Sequence, residues 1–172
     1  CESFGADGIT IHPRPDQRHI RYSDIPALKA IVSTELNIEG NPTEEFMQQV
    51  LAYKPHQCTL VPDSPSALTS DQGWDTLKES SFLTEITARL KEQGIRVSIF
   101  LDASPRMVEG AASIGADRVE FYTGPFAAQY RTDPRAAIAG HIAAAQEASQ
   151  LNVGVNAGHD LNLDNLRFYA SM

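Results

Sequence analysis

One segment near the start of the chain concentrates side chains that bind anions and transfer protons. His12 is followed by Arg14, Arg18 and His19, with two prolines among them. The planar guanidinium of arginine matches the geometry of a phosphate, and histidine titrates near neutral pH. The segment is therefore interpreted as a proline-stiffened anion-binding loop, with an ordinary solvated loop as the alternative.

Two further acid/base candidates follow other β-branched runs. Glu39 comes after the apolar residues Leu36 and Ile38, and His159 lies in the small-residue segment Asn156-Ala157-Gly158-His159-Asp160. A carboxylate that faces a cleft can act as a general base, and an imidazole can donate or accept a proton. A structural salt bridge for Glu39 and an ordinary loop position for His159 remain open as alternatives.

Several residues are weaker candidates because a structural role would explain them equally well. Glu120 can pair with a base on a neighbouring strand, whereas Thr123 and Gly124 offer a hydroxyl and a backbone N–H to a ligand. Thr69 lies in the long 62–73 loop, and that length indicates a lid over a site.

A metal site is the less favoured interpretation of the same residues. His12, Glu39 and His159 could together bind a metal ion, but the sequence has no HxH or HExxH spacing. We therefore expect no metal.

These residues follow short runs that predict six β-strands. The predicted strands are Gly8–His12, Glu35–Glu39, Gln57–Val61, Arg96–Leu101, Arg118–Tyr122 and Asn152–Asn156. Between them the apolar residues recur with helical spacing. One apolar stripe comprises Phe82, Leu83, Ile86 and Leu90 and ends at Gly94. Helix starts are predicted with Asn41 as an N-cap, at Ser104-Pro105 and at Asp133-Pro134.

Strict alternation of strands and helices predicts an α/β fold with parallel strands and right-handed crossovers. The candidates are an open doubly wound sheet and a (βα)8 TIM barrel. No GxGxxG or GxxxxGK[ST] segment follows a strand, which disfavours the nucleotide-binding versions of the open sheet. The barrel is preferred, as a single domain over residues 1–172, because active sites of barrels gather side chains at the carboxyl ends of several strands.

The charge balance and apolar pattern exclude two classes of partner. The 172 residues carry 14 Lys and Arg against 22 Asp and Glu, a net charge of −8. An acidic chain without a basic cluster is not expected to bind nucleic acid, and no apolar run reaches the length of a membrane span. Two cysteines without a CxxC spacing favour a reducing, cytoplasmic setting. Small phosphorylated substrates remain compatible with this composition.

Six segments, in order along nearly the whole chain, resemble the pyridoxine 5′-phosphate synthase family, called PdxJ. They are GADGITIHPRPDQRHI (5–20), NIEGNPTEE (37–45), KPHQCTLVPDSP (54–65), GIRVSIFLD (94–102), GADRVEFYTGPFA (115–127) and VNAGHDLNLDN (155–165). The resemblance implies a TIM barrel that assembles as a homo-octamer and uses no cofactor. It also implies a transferase of vitamin B6 biosynthesis, which joins 3-amino-2-oxopropyl phosphate to 1-deoxy-D-xylulose 5-phosphate to give pyridoxine 5′-phosphate, phosphate and water.

The resemblance also implies roles for individual residues. Proton transfer is expected of His12 and Glu39 as acceptors and of His159 as donor. Binding of the deoxyxylulose phosphate is expected of Arg14, His19 and Thr69. Asp160 falls where the family contacts the aminooxopropyl phosphate, often through Gly, so a backbone contact is expected there. Apart from the resemblance, the positions of Glu120, Thr123, Gly124 and Asn156 at the strand ends suggest supporting roles for these four residues.

Measured against the family, the chain lacks the first and eighth strands of the barrel. It is therefore expected to be a segment, incomplete at both ends, that in isolation is aggregation-prone, inactive or completed by a partner chain. Two alternatives remain open: another phosphate-binding barrel isomerase or aldolase, and a non-catalytic fragment if this chain is the whole product. No predicted strand ends in lysine, which weakens the case for a Schiff-base aldolase.

Overall fold

The computed structural model describes residues 1–64 and 67–172, and its frame is a six-stranded parallel sheet. The strands are β1 (Gly8–Ile11), β2 (Glu35–Gly40), β3 (Gln57–Leu60), β4 (Arg96–Leu101), β5 (Arg118–Tyr122) and β6 (Gly154–Gly158). Each pairs in parallel with the next strand along the chain. Residues of both edge strands, β1 and β6, line one cavity of about 550 Å³, so the sheet is curled.

Seven α-helices and a short 3₁₀ helix (Glu2–Phe4) accompany the described strands. The α-helices are α1 (Asp24–Ile31), α2 (Glu44–Tyr53), α3 (Ser80–Lys91), α4 (Pro105–Ile114), α5 (Gly124–Gln129), α6 (Pro134–Gln150) and α7 (Leu166–Ala170). The predicted starts of α4 and α6 are confirmed. The Asp133 side chain caps α6 by accepting a hydrogen bond from the Ala136 N–H at 3.0 Å.

The start of α2 differs from the prediction. Its N-cap is Thr43, whose hydroxyl accepts a hydrogen bond from the Phe46 N–H at 3.3 Å, and not Asn41. The Asn41 amide instead donates to the carbonyl of Asp63, 22 residues further on. Asn41 and Thr43 could both cap α2, and Thr43 does so because the Asn41 side chain is engaged by the distant Asp63 carbonyl.

The apolar stripe of α3 also needs correction. Leu83, Ile86 and Leu90 are buried as predicted, but Phe82 is 41% exposed, and its ring lies tilted by 47° beside that of Trp74, with the centroids 6.0 Å apart. Thr87 is buried with the stripe, because it lies one turn beyond Leu83 on the same face.

The last strand, β6, begins two residues later than predicted. Asn152 adopts a left-handed conformation with φ 56°, and the N–H of Val153 bonds back to the Ala148 carbonyl. Asparagine ends helices in this way, so Asn152 completes α6 and cannot begin the strand.

Alternation along the strands gives the sheet an apolar outer face and a polar inner face. The outer residues pack against the helices in the hydrophobic core and include Leu36, Ile38, Cys58, Leu60, Val97, Ile99, Val119 and Phe121. The inner residues that line the cavity include Thr10, Asn37, Gln57, Arg96, Arg118, Glu120 and Asn156. The interior of most barrels is filled by Val, Ile and Leu, so this polar lining indicates a functional interior.

Candidate active site

His12 and Glu39 meet at the carboxyl end of β1 and β2. His12 directly follows β1, and Glu39 is the next-to-last residue of β2. Their side chains are hydrogen-bonded, with the His12 Nδ1 3.1 Å from the Glu39 Oε1. Both side chains are largely buried, with 16% and 21% of their surfaces exposed. An imidazole and a carboxyl in contact can exchange a proton, so the pair is suited to acid/base chemistry.

His159, at the end of β6, has both ring nitrogens engaged. Its Nε2 lies 3.0 Å from the Thr69 hydroxyl, and its Nδ1 lies 3.2 Å from the Asp160 carboxylate. The Tyr122 ring packs edge-on against it, with ring centroids 5.4 Å apart. Through this contact Thr69 fixes part of the 62–73 loop at the carboxyl end of the sheet. Pro65 and Ser66, which belong to the predicted lid, lie outside the described residues.

Arg14 is held in place by a buried ion pair. Its Nη1 lies 3.0 Å from the Asp63 Oδ2, and only 11% and 5% of the two side chains are exposed. The Ser70 hydroxyl donates to the same carboxylate oxygen at 2.6 Å. A guanidinium has five donors, so Arg14 keeps donors for a second anion. Asp63 and Ser70 went unnoticed in the sequence, where no motif links them to Arg14.

The two other basic residues of this segment have different surroundings. Arg18 donates to the carbonyls of Ala67 and Leu68, both at 2.8 Å, and pairs with Asp16. Arg18 therefore holds the strand-to-helix loop that carries Thr69. His19 is exposed, and the described residues make no hydrogen bond or ion pair with it, so the structure does not bring it to the other candidates.

Glu120 projects from β5 into the polar interior. Burial, together with the neighbouring Glu39 carboxylate, raises the pKa of Glu120 to about 8, although a hydrogen bond with the Thr59 hydroxyl opposes the shift. A Cβ at Gly158 would lie 2.4 Å from the Glu120 Oε1, so the glycine makes room for this carboxyl. Among the described residues no ion pair reaches Glu120. A carboxyl that its surroundings keep protonated beside a second carboxyl is a common arrangement for acid/base catalysis.

Replacing Glu120 with glutamine should flatten the pH dependence of stability. The folded chain keeps the Glu120 proton to a higher pH than the unfolded chain, where the pKa is near 4.5. The stabilisation by this group is therefore fully present below pH 4.5 and is lost as the pH rises toward 8. Between pH 5 and 8 we expect the wild-type free energy of unfolding to fall by at least about 1 kcal/mol more than that of Glu120→Gln.

Urea unfolding at several pH values measures this difference. Glu85→Gln, on the exposed face of α3, is the matched control and should follow the wild type. Parallel stability curves for the wild type and Glu120→Gln would contradict the assignment of a retained proton to Glu120.

Thr123 stabilises the main chain of the site rather than offering its hydroxyl to a ligand. Its side chain is fully buried, and its hydroxyl donates to the Gly158 carbonyl at 2.6 Å and also contacts the His159 carbonyl. Its N–H bonds to the same Gly158 carbonyl at 3.0 Å. The prediction of a ligand-facing hydroxyl is therefore corrected, because the carbonyls of Gly158 and His159 use the hydroxyl of Thr123.

Gly124 and Asn156 lie within elements of secondary structure and contact protein side chains. Gly124 begins α5, and a Cβ there would lie 2.3 Å from the Tyr122 ring. Asn156 lies within β6, and its Oδ1 accepts a hydrogen bond from the Arg118 Nε at 3.0 Å. Both residues thus position neighbouring side chains.

The described part of the chain has neither a cluster of metal-ligating side chains nor a membrane-spanning helix. No group of three or more His, Cys, Asp or Glu side chains within residues 1–64 and 67–172 is arranged to hold a metal ion. In the same ranges, no helix has the length and apolar character needed to cross a bilayer.

One solved structure supports the barrel fold. The crystal structure of D-psicose 3-epimerase in the presence of D-fructose superimposes with a TM-score of 0.51 at 12% identity, covering 90% of this chain and 75% of that one. At this identity the likeness concerns the fold alone. Together with the curled parallel sheet, it confirms the prediction of an α/β fold that forms part of a TIM barrel.

Similar sequences identify the family. Pyridoxine 5′-phosphate synthase of Cytophaga hutchinsonii is 58% identical over 168 residues, which are 98% of this chain and 71% of that protein. The same enzyme of Bacteroides thetaiotaomicron is 54% identical over 169 residues, with the same coverage. The profile of the family described as pyridoxal phosphate biosynthesis protein PdxJ matches residues 1–172. The chain therefore belongs to the PdxJ family, whose enzymes serve vitamin B6 biosynthesis.

Proposed function

We propose that the chain catalyses the condensation of 3-amino-2-oxopropyl phosphate with 1-deoxy-D-xylulose 5-phosphate to pyridoxine 5′-phosphate, phosphate and water. The observation that carries the proposal is the gathering of His12, Glu39 and His159 at one edge of the sheet. The name shared by the relatives, pyridoxine 5′-phosphate synthase, supports the same reaction.

The reaction needs several groups that take up and release protons around one cavity. An amine and a ketone condense to an imine, phosphate and water leave, and an aldol-type step closes the ring. Each of these steps moves a proton at carbon, nitrogen or oxygen. The three acid/base side chains and the protonated Glu120 carboxyl supply such groups at the polar end of the sheet.

Glu39 and His12 act as the proton acceptors. Glu39 takes protons from the condensing substrates. Because the His12 Nδ1 lies 3.1 Å from the Glu39 Oε1, a proton on Glu39 can pass to His12. Their limited exposure keeps bulk water from competing for the proton. Glu120, on β5, stabilises the charge that develops beside Glu39 by remaining protonated.

His159 acts as the proton donor to leaving oxygen. Its Nε2 faces Thr69, the residue expected to bind the deoxyxylulose phosphate, so the donor nitrogen lies at the position of that substrate. The contact with the Asp160 carboxylate holds the other nitrogen as an N–H, since a carboxylate accepts hydrogen bonds.

Two anion-binding regions would hold the substrates at opposite ends. Arg14 and Thr69 bind the deoxyxylulose phosphate, with Arg14 oriented by its Asp63 partner. The family resemblance adds His19, which is exposed and makes no hydrogen bond or ion pair with the described residues. The backbone of Asp160 binds the aminooxopropyl phosphate, because its carboxylate is engaged by His159. Fixing both phosphates aligns the reacting carbons and removes the entropic cost of a bimolecular encounter.

The remaining features of the proposal are supported by the family resemblance. They are a single barrel domain over residues 1–172, a homo-octameric assembly, a cytoplasmic location and a reaction without a cofactor. Continuous pairing from β1 to β6 supports the single domain.

A direct assay tests the reaction. The purified protein is incubated with both substrates, and pyridoxine 5′-phosphate and free phosphate are measured by chromatography and a phosphate assay. We expect equal amounts of the two products, and none when either substrate is omitted. Conversion of one sugar phosphate in the absence of the amine would instead support the isomerase or aldolase alternative.

A further inference from the structure

The turn that carries His159 contains two consecutive non-glycine residues in left-handed backbone conformations. The φ angles are 84° for His159 and 56° for Asp160. In this region the Cβ of an L-residue approaches a carbonyl oxygen, so the conformation is unfavourable and persists where surrounding contacts determine it. The orientation of the His159 ring therefore depends on whatever holds this turn.

Contacts from Thr123, the residue after β5, hold the first half of the turn. The Thr123 hydroxyl bonds to the Gly158 carbonyl and contacts that of His159, while the Thr123 N–H bonds to the Gly158 carbonyl. These bonds restrain the chain up to the His159 peptide. The carbonyl of Asp160, which completes the left-handed pair, lies beyond their reach.

Asn165 holds the second half. It precedes α7, is only 3% exposed, and donates from its Nδ2 to the Asp160 carbonyl at 3.1 Å. Its Oδ1 accepts a hydrogen bond from the Asn162 N–H at 2.8 Å. A buried amide is costly unless its donor and acceptor are both satisfied, and here both are used on the backbone of one loop.

We propose that Asn165 is a positioning residue for His159. By holding the Asp160 carbonyl it maintains the left-handed pair, and so keeps the His159 Nε2 directed at Thr69, 3.0 Å away. Asn165 acts through His159 and contacts no reacting atom. The inference rests on the proposed role of His159 as proton donor.

The first test removes the donor without changing the shape of the side chain. Asn165→Asp keeps the Oδ1 acceptor but places a carboxylate oxygen against the Asp160 carbonyl. We expect kcat for pyridoxine 5′-phosphate formation to fall about 10- to 100-fold while KM for each substrate changes less than about threefold. The matched control is Asn152→Asp, since Asn152 is exposed and left-handed but lies at the other end of β6. It should stay within about twofold of the wild type.

The second test asks whether the effect comes from the conformation of the turn. Glycine adopts positive φ without penalty, so Asp160→Gly makes the turn less dependent on Asn165. In the Asp160→Gly background, adding Asn165→Asp should lower kcat by less than about threefold. An equal loss of kcat in both backgrounds would overturn the positioning role and leave a general effect on folding.

Amide hydrogen exchange tests the restraint of the turn independently of enzymatic activity. Amide exchange over residues 157–164, followed by mass spectrometry, should become at least about tenfold faster in Asn165→Asp and stay unchanged in Asn152→Asp. Unchanged exchange in Asn165→Asp would overturn the inference. Faster exchange in a protein that forms no pyridoxine 5′-phosphate would instead uphold the restraint of the turn and contradict the proposed function.

Discussion

Replacing Glu39 with glutamine is expected to lower kcat for pyridoxine 5′-phosphate formation by about 10²- to 10⁴-fold, the range of general acid–base catalysis. Glutamine keeps the volume of the side chain and an oxygen that can face the His12 Nδ1. It cannot accept a proton from substrate. Because the phosphates are bound by other residues, KM for both substrates should change far less than kcat.

Glu35→Gln is the matched control for Glu39→Gln. Glu35 lies on the same strand and the same inner face, but at the amino end of β2, where it pairs with Arg96. Its loss should change kcat by less than about threefold. Product formation by stopped assay, with phosphate binding followed by calorimetry, separates the two variants. Near-normal turnover of Glu39→Gln would remove Glu39 from the mechanism.

The polar inner face of the sheet explains why such conservative changes should matter. Alternation places Glu39 on β2 and Glu120 on β5 on the same inner face, and the curl of the sheet brings both to one cavity, away from the aliphatic core. Burial and the Glu39 carboxylate raise the pKa of Glu120, which leaves a neutral carboxyl beside a proton acceptor. Replacing Glu39 with glutamine removes the charge that helps to raise this pKa, so the two replacements should not be additive.

Much of this arrangement could be predicted from the sequence because its causes are local. Period-two alternation and β-branched residues mark the strands, and Pro after Ser104 or Asp133 marks helix starts. Parallel neighbours bring their carboxyl ends to one edge. This is why His12 and Glu39, which are 27 residues apart, could be expected to meet.

The contacts that orient the site could not be predicted, because each joins distant parts of the chain. Arg14 pairs with Asp63, and Arg18 donates to the Ala67 carbonyl. Each contact joins residues that are 49 positions apart, and no spacing rule in the sequence reveals either of them. Left-handed conformations at Asn152 and His159 moved the start of β6 and set the turn after it. The Thr123 hydroxyl looked available to a ligand because the carbonyls that use it lie 35 residues away.

Replacing His159 with asparagine should suppress product formation by about 10²- to 10³-fold, because the variant lacks a titratable proton donor. Asparagine suits this position since it tolerates the left-handed backbone that His159 adopts, with φ 84°. The amide of the introduced asparagine can still point toward the Thr69 hydroxyl, as the His159 ring does. The turn should therefore survive while the proton transfer does not, so kcat falls and binding of the deoxyxylulose phosphate, measured by calorimetry, stays within about threefold.

The comparison with His56→Asn makes this result specific to proton donation. His56 is an exposed residue before β3, at the opposite edge of the sheet, and its Nδ1 accepts a hydrogen bond from the Leu36 N–H at 3.0 Å. The asparagine Oδ1 can accept the same bond, so His56→Asn should keep nearly full activity. If His159→Asn also kept it, the donor would have to be another group at the carboxyl edge, and His12 would be the next residue to test. Loss of activity together with loss of phosphate binding would instead make His159 a binding residue, because proton donation alone does not hold the substrate.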